Sequence, residues 1–221
     1  MSDTQAQRLQ ALSMKARIRG LRPLVSASRQ SPGRALIERD IERWVVVRAG
    51  GDLPGIETAS TDDALCAYLA VFHEFRNIFY YRLEQGGGSG TLIAKAARRV
   101  WRDVPSFELS CGDIGPGFVA RHGYSTILTA ERIGANCMVH HEVTLGFDEG
   151  SGRSPRIGDN VYIGAGAKVL GDVTIGNDVR IGANAVVVTD VPDGCTAVGV
   201  PARIRSRSEP VWRGSVAEAS G

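Results

Sequence analysis

The stretch Ile157-Gly158-Asp159-Asn160-Val161-Tyr162-Ile163-Gly164-Ala165-Gly166-Ala167-Lys168-Val169-Leu170-Gly171-Asp172-Val173-Thr174-Ile175 decides the fold. Its large aliphatic residues Ile157, Ile163, Val169 and Ile175 recur at every sixth position. Followed outward, the ladder reads Ile133, Val139, Leu145, Ile157, Ile163, Val169, Ile175, Ile181 and Val187, with a single double-length gap after Leu145. A small or β-branched residue stands four places after most rungs: Cys137, Val143, Val161, Ala167, Val173, Val179, Ala185 and Val191. Glycine follows the rung directly at Gly134, Gly146, Gly158, Gly164, Gly176 and Gly182. A helix repeats at about 3.6 residues and a flat strand at about two, so a period of six fits neither. A fixed short period sustained over about sixty residues is the signature of a β-solenoid.

Each hexapeptide is then one short strand and a turn, and three hexapeptides close one triangular coil. The aliphatic rung points inward and stacks on its equivalent in the next coil. One coil cannot bury its own apolar face, so stability comes from stacking neighbours. The gap holds Phe147-Asp148-Glu149-Gly150-Ser151-Gly152-Arg153-Ser154-Pro155, polar and glycine-rich, with Ser151 where a rung would fall. It is expected to project as a loop, and loops on a rigid scaffold often carry function. Pro192-Asp193-Gly194 is expected to end the regular repeat.

Before residue 107 the texture is helical. Ser31-Pro32 reads as an N-cap with proline in the first turn, followed by Ile37, Ile41, Trp44 and Val45 on one helix face. Ser60 and Asp63 suit a capping box. The run from Ala64 to Leu83 predicts one well-buried helix, stopped by a flexible turn at Gly86-Gly87-Gly88-Ser89-Gly90. Leu92, Ile93, Ala96 and Val100 mark a short amphipathic helix. The chain thus divides into a helical domain over 1–106, a solenoid over 107–204 and a loosely ordered tail over 205–221.

Composition limits the function classes. The net charge of +2 argues against a nucleic-acid or acidic-membrane partner. No segment has the roughly 18–20 apolar residues of a membrane span. The basic, polar N-terminus lacks the apolar core of a secretory leader. Cys66, Cys111, Cys137 and Cys195 are too far apart for a metal-binding or CxxC motif, and the expected compartment is a reducing cytoplasm.

Three stretches carry a resemblance: Val143-Thr144-Leu145-Gly146, Ile163 to Gly171, and Gly199-Val200-Pro201-Ala202-Arg203. In this order and spacing they resemble the serine acetyltransferase family of hexapeptide acyltransferases, over about 108–204. Glu74-Phe75-Arg76-Asn77 also looks like family sequence. The resemblance implies an α+β fold with a left-handed parallel β-helix. It implies a homotrimer, or a dimer of trimers, with active sites between adjacent solenoids. It also implies acetyl-CoA as donor, no metal, and a histidine general base that deprotonates a hydroxyl acceptor.

Four histidines exist: His73, His122, His140 and His141. His122 stands where the family has its catalytic base, and a near-neutral imidazole suits removal of a hydroxyl proton during attack. Glu108 matches, with one residue deleted, the family carboxylate that orients the base. His140 lies one coil length (three hexapeptides) after His122, so a regular coil would stack the two; His140 and His141 become candidate acceptor-binding residues. For CoA the resemblance points to the backbones of Gly146, Ala165 and Ala183, with Lys168 and Arg203 near its phosphates.

The departures bear on the acceptor. The family has an aspartate immediately before the base, where this chain has Arg121. It has an Arg-His pair before the loop proline, where this chain has Arg153 and Ser154. The acceptor is therefore L-serine or a similar small hydroxyl compound, or a saccharide or natural-product hydroxyl. Family members often end in an isoleucine that docks into the next enzyme of cysteine synthesis; Gly221 does not match it, and a cysteine synthase complex is not expected. The same solenoid serves γ-type carbonic anhydrases, zinc lyases that need three converging histidines. A catalytically silent trimeric scaffold is the remaining reading.

Overall fold

The computed structural model describes residues 3–48, 53, 56–147, 149–150 and 152–206. Asp148, Ser151, and Val211, Trp212 and Val216 of the expected tail lie outside the described residues. Five helices come first: α1 (Asp3–Ser28), α2 (Arg34–Val47), α3 (Thr61–Val71), α4 (His73–Gln85) and α5 (Gly88–Val100). Fifteen short strands follow, from β1 (Phe107–Leu109) to β15 (Arg203–Ser206). They wind into a left-handed parallel solenoid of about five turns.

The solenoid has three faces. Sheet one stacks β1, β4 (Thr126–Leu128), β7 (Thr144–Gly146), β10 (Lys168–Leu170) and β13 (Val186–Val187). Sheet two stacks β2 (Asp113–Ile114), β5 (Arg132–Ile133), β8 (Arg156–Ile157) and β11 (Thr174–Ile175). Sheet three stacks β3 (Val119–Arg121), β6 (Met138–His140), β9 (Tyr162–Ile163), β12 (Arg180–Ile181), β14 (Cys195–Val198) and β15. All nine aliphatic rungs read from the sequence are buried, none above 2% exposed. Cys137, Val143, Val161, Ala167, Val173, Val179, Ala185 and Val191 are buried with them. Past Pro192 the parallel pairing continues for one more strand, with Arg180 opposite Thr196, before β15 folds back antiparallel on β14. Strand β15 closes the described part of the chain at Ser206.

The helical half departs more from expectation. The run Ala64–Leu83 is two helices, because Phe72 is extended (φ −101°, ψ 103°). Packing explains the break: the Phe72 ring lies 5.0 Å from Tyr68 and 5.9 Å from Trp44, with the Arg48 guanidinium 4.1 Å over its face. Such burial outweighs the weak preference of the segment to stay helical. Helix α2 starts at Arg34 with Gly33 as its N-cap, two residues after the expected Pro32. Ser60 caps α3 as expected: the Asp63 N–H donates to Ser60 Oγ at 3.2 Å, and Ser60 Oγ donates to Asp63 Oδ2 at 2.8 Å. Only Gly86 and Gly87 connect α4 to α5. Gly90 is in the helix, where a Cβ would come within 2.3 Å of the Leu83 carbonyl oxygen, so glycine lets α5 pack tightly on α4. Helix α5 buries Gly90 and Ala94 and leaves Leu92 and Val100 exposed, so its buried face is rotated from the one expected.

One buried ion pair ties the helices to the first coil. Arg82 Nε donates to Asp40 Oδ2 at 2.8 Å, both side chains 1% exposed. The Phe118 N–H donates to Asp40 Oδ1 at 3.0 Å, and Arg82 also donates to the Ile114 and Gly115 carbonyls. Trp44 adds a bond to the Phe118 carbonyl at 2.9 Å. Paired and hydrogen-bonded on all sides, these charges avoid the penalty of an isolated buried ion.

Candidate active site

The upper coils keep one register: Arg156 faces Thr174, Tyr162 faces Arg180 and Lys168 faces Val186, each pair separated by three whole hexapeptides. The first coil does not. Arg121 faces His140, one position more than three hexapeptides on, whereas after the corner Ile127 faces Thr144, one position fewer. Two extra residues are therefore held in the first coil at the corner between sheets three and one. The N–H of Glu142 bonds the Tyr124 carbonyl at 2.8 Å, just as that of Gly166 bonds His141 and that of Asn184 bonds Ala165. Tyr124 thus sits under His141, and the extra pair is His122-Gly123.

This corrects the stacking of His122 on His140 expected from their spacing. Arg121, not His122, lies opposite His140. The His122 ring comes instead within 5.9 Å of the His141 ring, nearly edge-on. Both extra residues take positive φ, 70° for His122 and 43° for Gly123. The Tyr124 N–H bonds back to the His122 carbonyl at 2.5 Å, a tight three-residue turn. Glycine is required at its centre, since a Cβ there would lie 2.9 Å from the Glu74 Cβ and 3.1 Å from the Phe107 ring. Strained backbone of this kind is held only by over-determined packing, and it gathers at functional sites.

Above the bulge the corner is lined in register by His141, Ala165 and Ala183, so two of the three small residues expected to face CoA share the histidines' corner. Lys168 opens β10 beside it, with its ammonium on the Glu142 carbonyl. Gly146 ends β7, across the width of sheet one. Arg203 is exposed on β15.

Two expected residues are not brought to the histidines. Glu108 is exposed on β1, where Ser110 Oγ donates to its carboxylate at 2.8 Å. Arg153 lies at the corner between sheets one and two, paired with Asp172 at 2.9 Å. Sheet one separates it from the His122 of its own chain.

Tyr162 and Arg180, which sequence reading passed over, complete the outer face of sheet three with Arg121 and His140. Ala120, Val139, Ile163 and Ile181 fill the interior, so their strand neighbours Arg121, His140, Tyr162 and Arg180 point outward. The His140 ring is 5.2 Å from Tyr162, and the Arg180 guanidinium lies 4.6 Å over that same Tyr162 ring. The spacing of Tyr162 and Arg180, one coil length, could have revealed their stacking. Burial, then the positive charges of Arg121, His141 and His122, push the His140 imidazole down to about 4. Glu74 at the start of α4 presses its Cβ on Gly123 and gives its carboxylate to Arg48 at 3.2 Å. Nothing in the sequence pattern places Glu74 there, because the break at Phe72 delivers it. Among the described residues, no group of three or more His, Cys, Asp or Glu side chains is placed to hold a metal ion, and no helix is long and apolar enough to cross a membrane.

Comparison with known proteins agrees with this fold. A family model for bacterial transferase hexapeptide (six repeats) matches residues 154–189. The serine acetyltransferase of Helicobacter pylori strain J99 is 43% identical over 118 residues, 50% of this chain and 67% of that protein. The crystal structure of Neisseria gonorrhoeae serine acetyltransferase in complex with serine superposes with a TM-score of 0.53 at 30% identity, covering 77% of this chain and 68% of that one. A serine acetyltransferase in complex with CoA superposes with a TM-score of 0.53 at 25% identity, covering 81% of this chain and 73% of that one. Several other curated serine acetyltransferases match over about half of their own length.

Proposed function

The chain belongs to the serine acetyltransferase family, and on that premise we propose that it transfers an acetyl group from acetyl-CoA to a hydroxyl of a small acceptor, L-serine or a similar molecule. The observation that carries this reading is the corner where His122 and His141 meet at 5.9 Å beneath Ala165 and Ala183. His122 takes the acceptor proton as the hydroxyl oxygen bonds to the acetyl carbonyl carbon. The carbon–sulfur bond breaks, and the proton passes from His122 to the leaving thiolate, giving ester and CoA thiol. Backbone N–H groups of the corner stabilise the oxyanion. Ala165 and Ala183 allow the pantetheine arm close to the backbone, with Gly146, Lys168 and Arg203 as further CoA contacts. A solved relative carries CoA, in keeping with this assignment.

His140, His141, Arg121 and Arg153 are assigned to the acceptor. Arg153 sits away from its own histidines and would serve a neighbouring protomer, which fits a trimer with sites between solenoids. Exposed Tyr124, Ile127, Leu170 and Val188, on or beside sheet one, supply apolar surface for that contact. Four unpaired cysteines suit a reducing, cytoplasmic setting. The test is thiol release from acetyl-CoA by the purified chain. Release that depends on an added hydroxyl acceptor is expected; release that no acceptor stimulates would overturn the proposal.

A further inference from the structure

Above the first coil the chain rounds two of its corners through a residue at positive φ. Asn136, Asn160 and Asp178 do so between sheets two and three, and Gly166 and Asn184 between sheets three and one. Glycine and short amide or acid side chains take this conformation at low cost. Glu142 breaks the pattern. It occupies the place equivalent to Gly166 and Asn184 one coil lower, at φ 60°. A long side chain kept where the backbone disfavours it points to a use for that side chain.

The place is the histidine corner itself. Glu142 follows His141, whose ring meets His122 at 5.9 Å. Its N–H bonds the Tyr124 carbonyl at 2.8 Å, its carbonyl receives the Lys168 ammonium, and the residue is exposed. Of the turn residues that build this corner, 122–125, 141–142, 165–166 and 183–184, Glu142 alone carries a carboxylate. Glu74, which reaches Gly123 from α4, gives its own carboxylate to Arg48. Cations stand close by, with Arg121 opposite His140 and Lys168 on the Glu142 carbonyl. An α-amino acid needs an anion for its ammonium and a cation for its carboxylate, and charge-assisted bonds of this kind are the strong ones. Resting on the acetyltransferase reading, we infer that Glu142 binds the ammonium group of an α-amino-acid acceptor. It supplies, from the coil above, the acid that Arg121 displaces from the place before His122.

The test follows CoA release by the full chain, with L-serine as acceptor and L-glycerate, which has a hydroxyl in place of the ammonium, as its competitor. Glu142→Gln removes the charge and keeps the length. It should raise the KM for L-serine by roughly tenfold or more, the scale of one charge-assisted contact, with kcat falling less than KM rises. The wild type should bind L-glycerate roughly tenfold more weakly than L-serine, and the variant should bind the two about equally. Glu142→Asn separates this role from a structural one. Asparagine suits positive φ, so the midpoint of thermal unfolding should rise and the mass of the assembly in solution should stay the same, while the KM for L-serine rises as in Glu142→Gln. The inference is overturned if either variant keeps the wild-type KM, if L-glycerate competes with the wild type as well as L-serine binds, or if Glu142→Asn lowers the midpoint or alters the assembly, which would make Glu142 a structural or subunit contact. If the wild type releases CoA with L-glycerate or glycerol but not with L-serine, the inference falls and acetyl transfer stands. If no acceptor releases CoA, the acetyltransferase reading falls, and the inference with it.

Discussion

The upper coils and the first coil are built from the same kind of repeat but obey different rules. From β8 to β13 each rung sits three whole hexapeptides from the one stacked on it, and each is a buried aliphatic; at the last coil Ile175 and Ile181 meet Val191 and Ala197 two positions sooner. In the first coil the inward residues are Leu109, Ile114, Ala120 and Leu128, spaced five, six and eight apart. The eight-residue step holds His122, and the helical half is pressed against it through Glu74, beside Phe107 of β1. The hexapeptide family model falls wholly in the regular part, at 154–189. Regularity therefore supplies the scaffold, and the departure from it holds the residues to which we assign the chemistry.

That contrast can be broken at several points. The largest stability effect is expected where the first coil is tied to the helices. Asp40→Ala leaves Arg82 buried without its counter-charge and should cost about 3–5 kcal/mol, measured by denaturant unfolding. A matched pair comes next. Ile175→Ala, in a regular coil and 1% exposed, should cost about 2–5 kcal/mol while sparing acetyl transfer in the folded fraction. Gly123→Ala should do the reverse: a Cβ at positive φ against Glu74 and Phe107 costs about 1–3 kcal/mol but displaces His122 and lowers the rate out of proportion. Equal rate losses in the two variants would erase the distinction between scaffold and site.

The smallest effect is a pH dependence. His140 titrates at about 4 in the folded chain against 6.5 ordinarily. Between those values the unfolded state takes up the proton first, so stability falls as pH drops from 6.5 toward 4 and then levels. His140→Gln should flatten that part of the curve in chemical denaturation at stepped pH. An unaltered slope would mean that the ring is charged or solvated.

How much was legible in the sequence follows the same division. The ladder from Ile133 to Val187 was readable because stacking demands the same residue type at the same position in every coil. The first coil was not, because its five-, six- and eight-residue steps hide the register, and the wrong histidine was paired with His122. Helix α1 left a signal in Met14, Ile18, Leu21 and Val25, which pack on the core, but Gly20 and Pro23 interrupt the pattern. The break at Phe72 is a product of packing with Trp44 and Tyr68, residues that no local propensity brings together. Arg153 was legible as a residue but not as a position, since the corner it occupies depends on how the loop returns to Asp172.

The most direct test is the rate of acetyl transfer by His122→Ala, with circular dichroism to show that the solenoid is intact. If the His122 ring is the base, as proposed, the rate should fall by roughly 100- to 10,000-fold. A folded variant that transfers acetyl at the wild-type rate would contradict the assignment of the site.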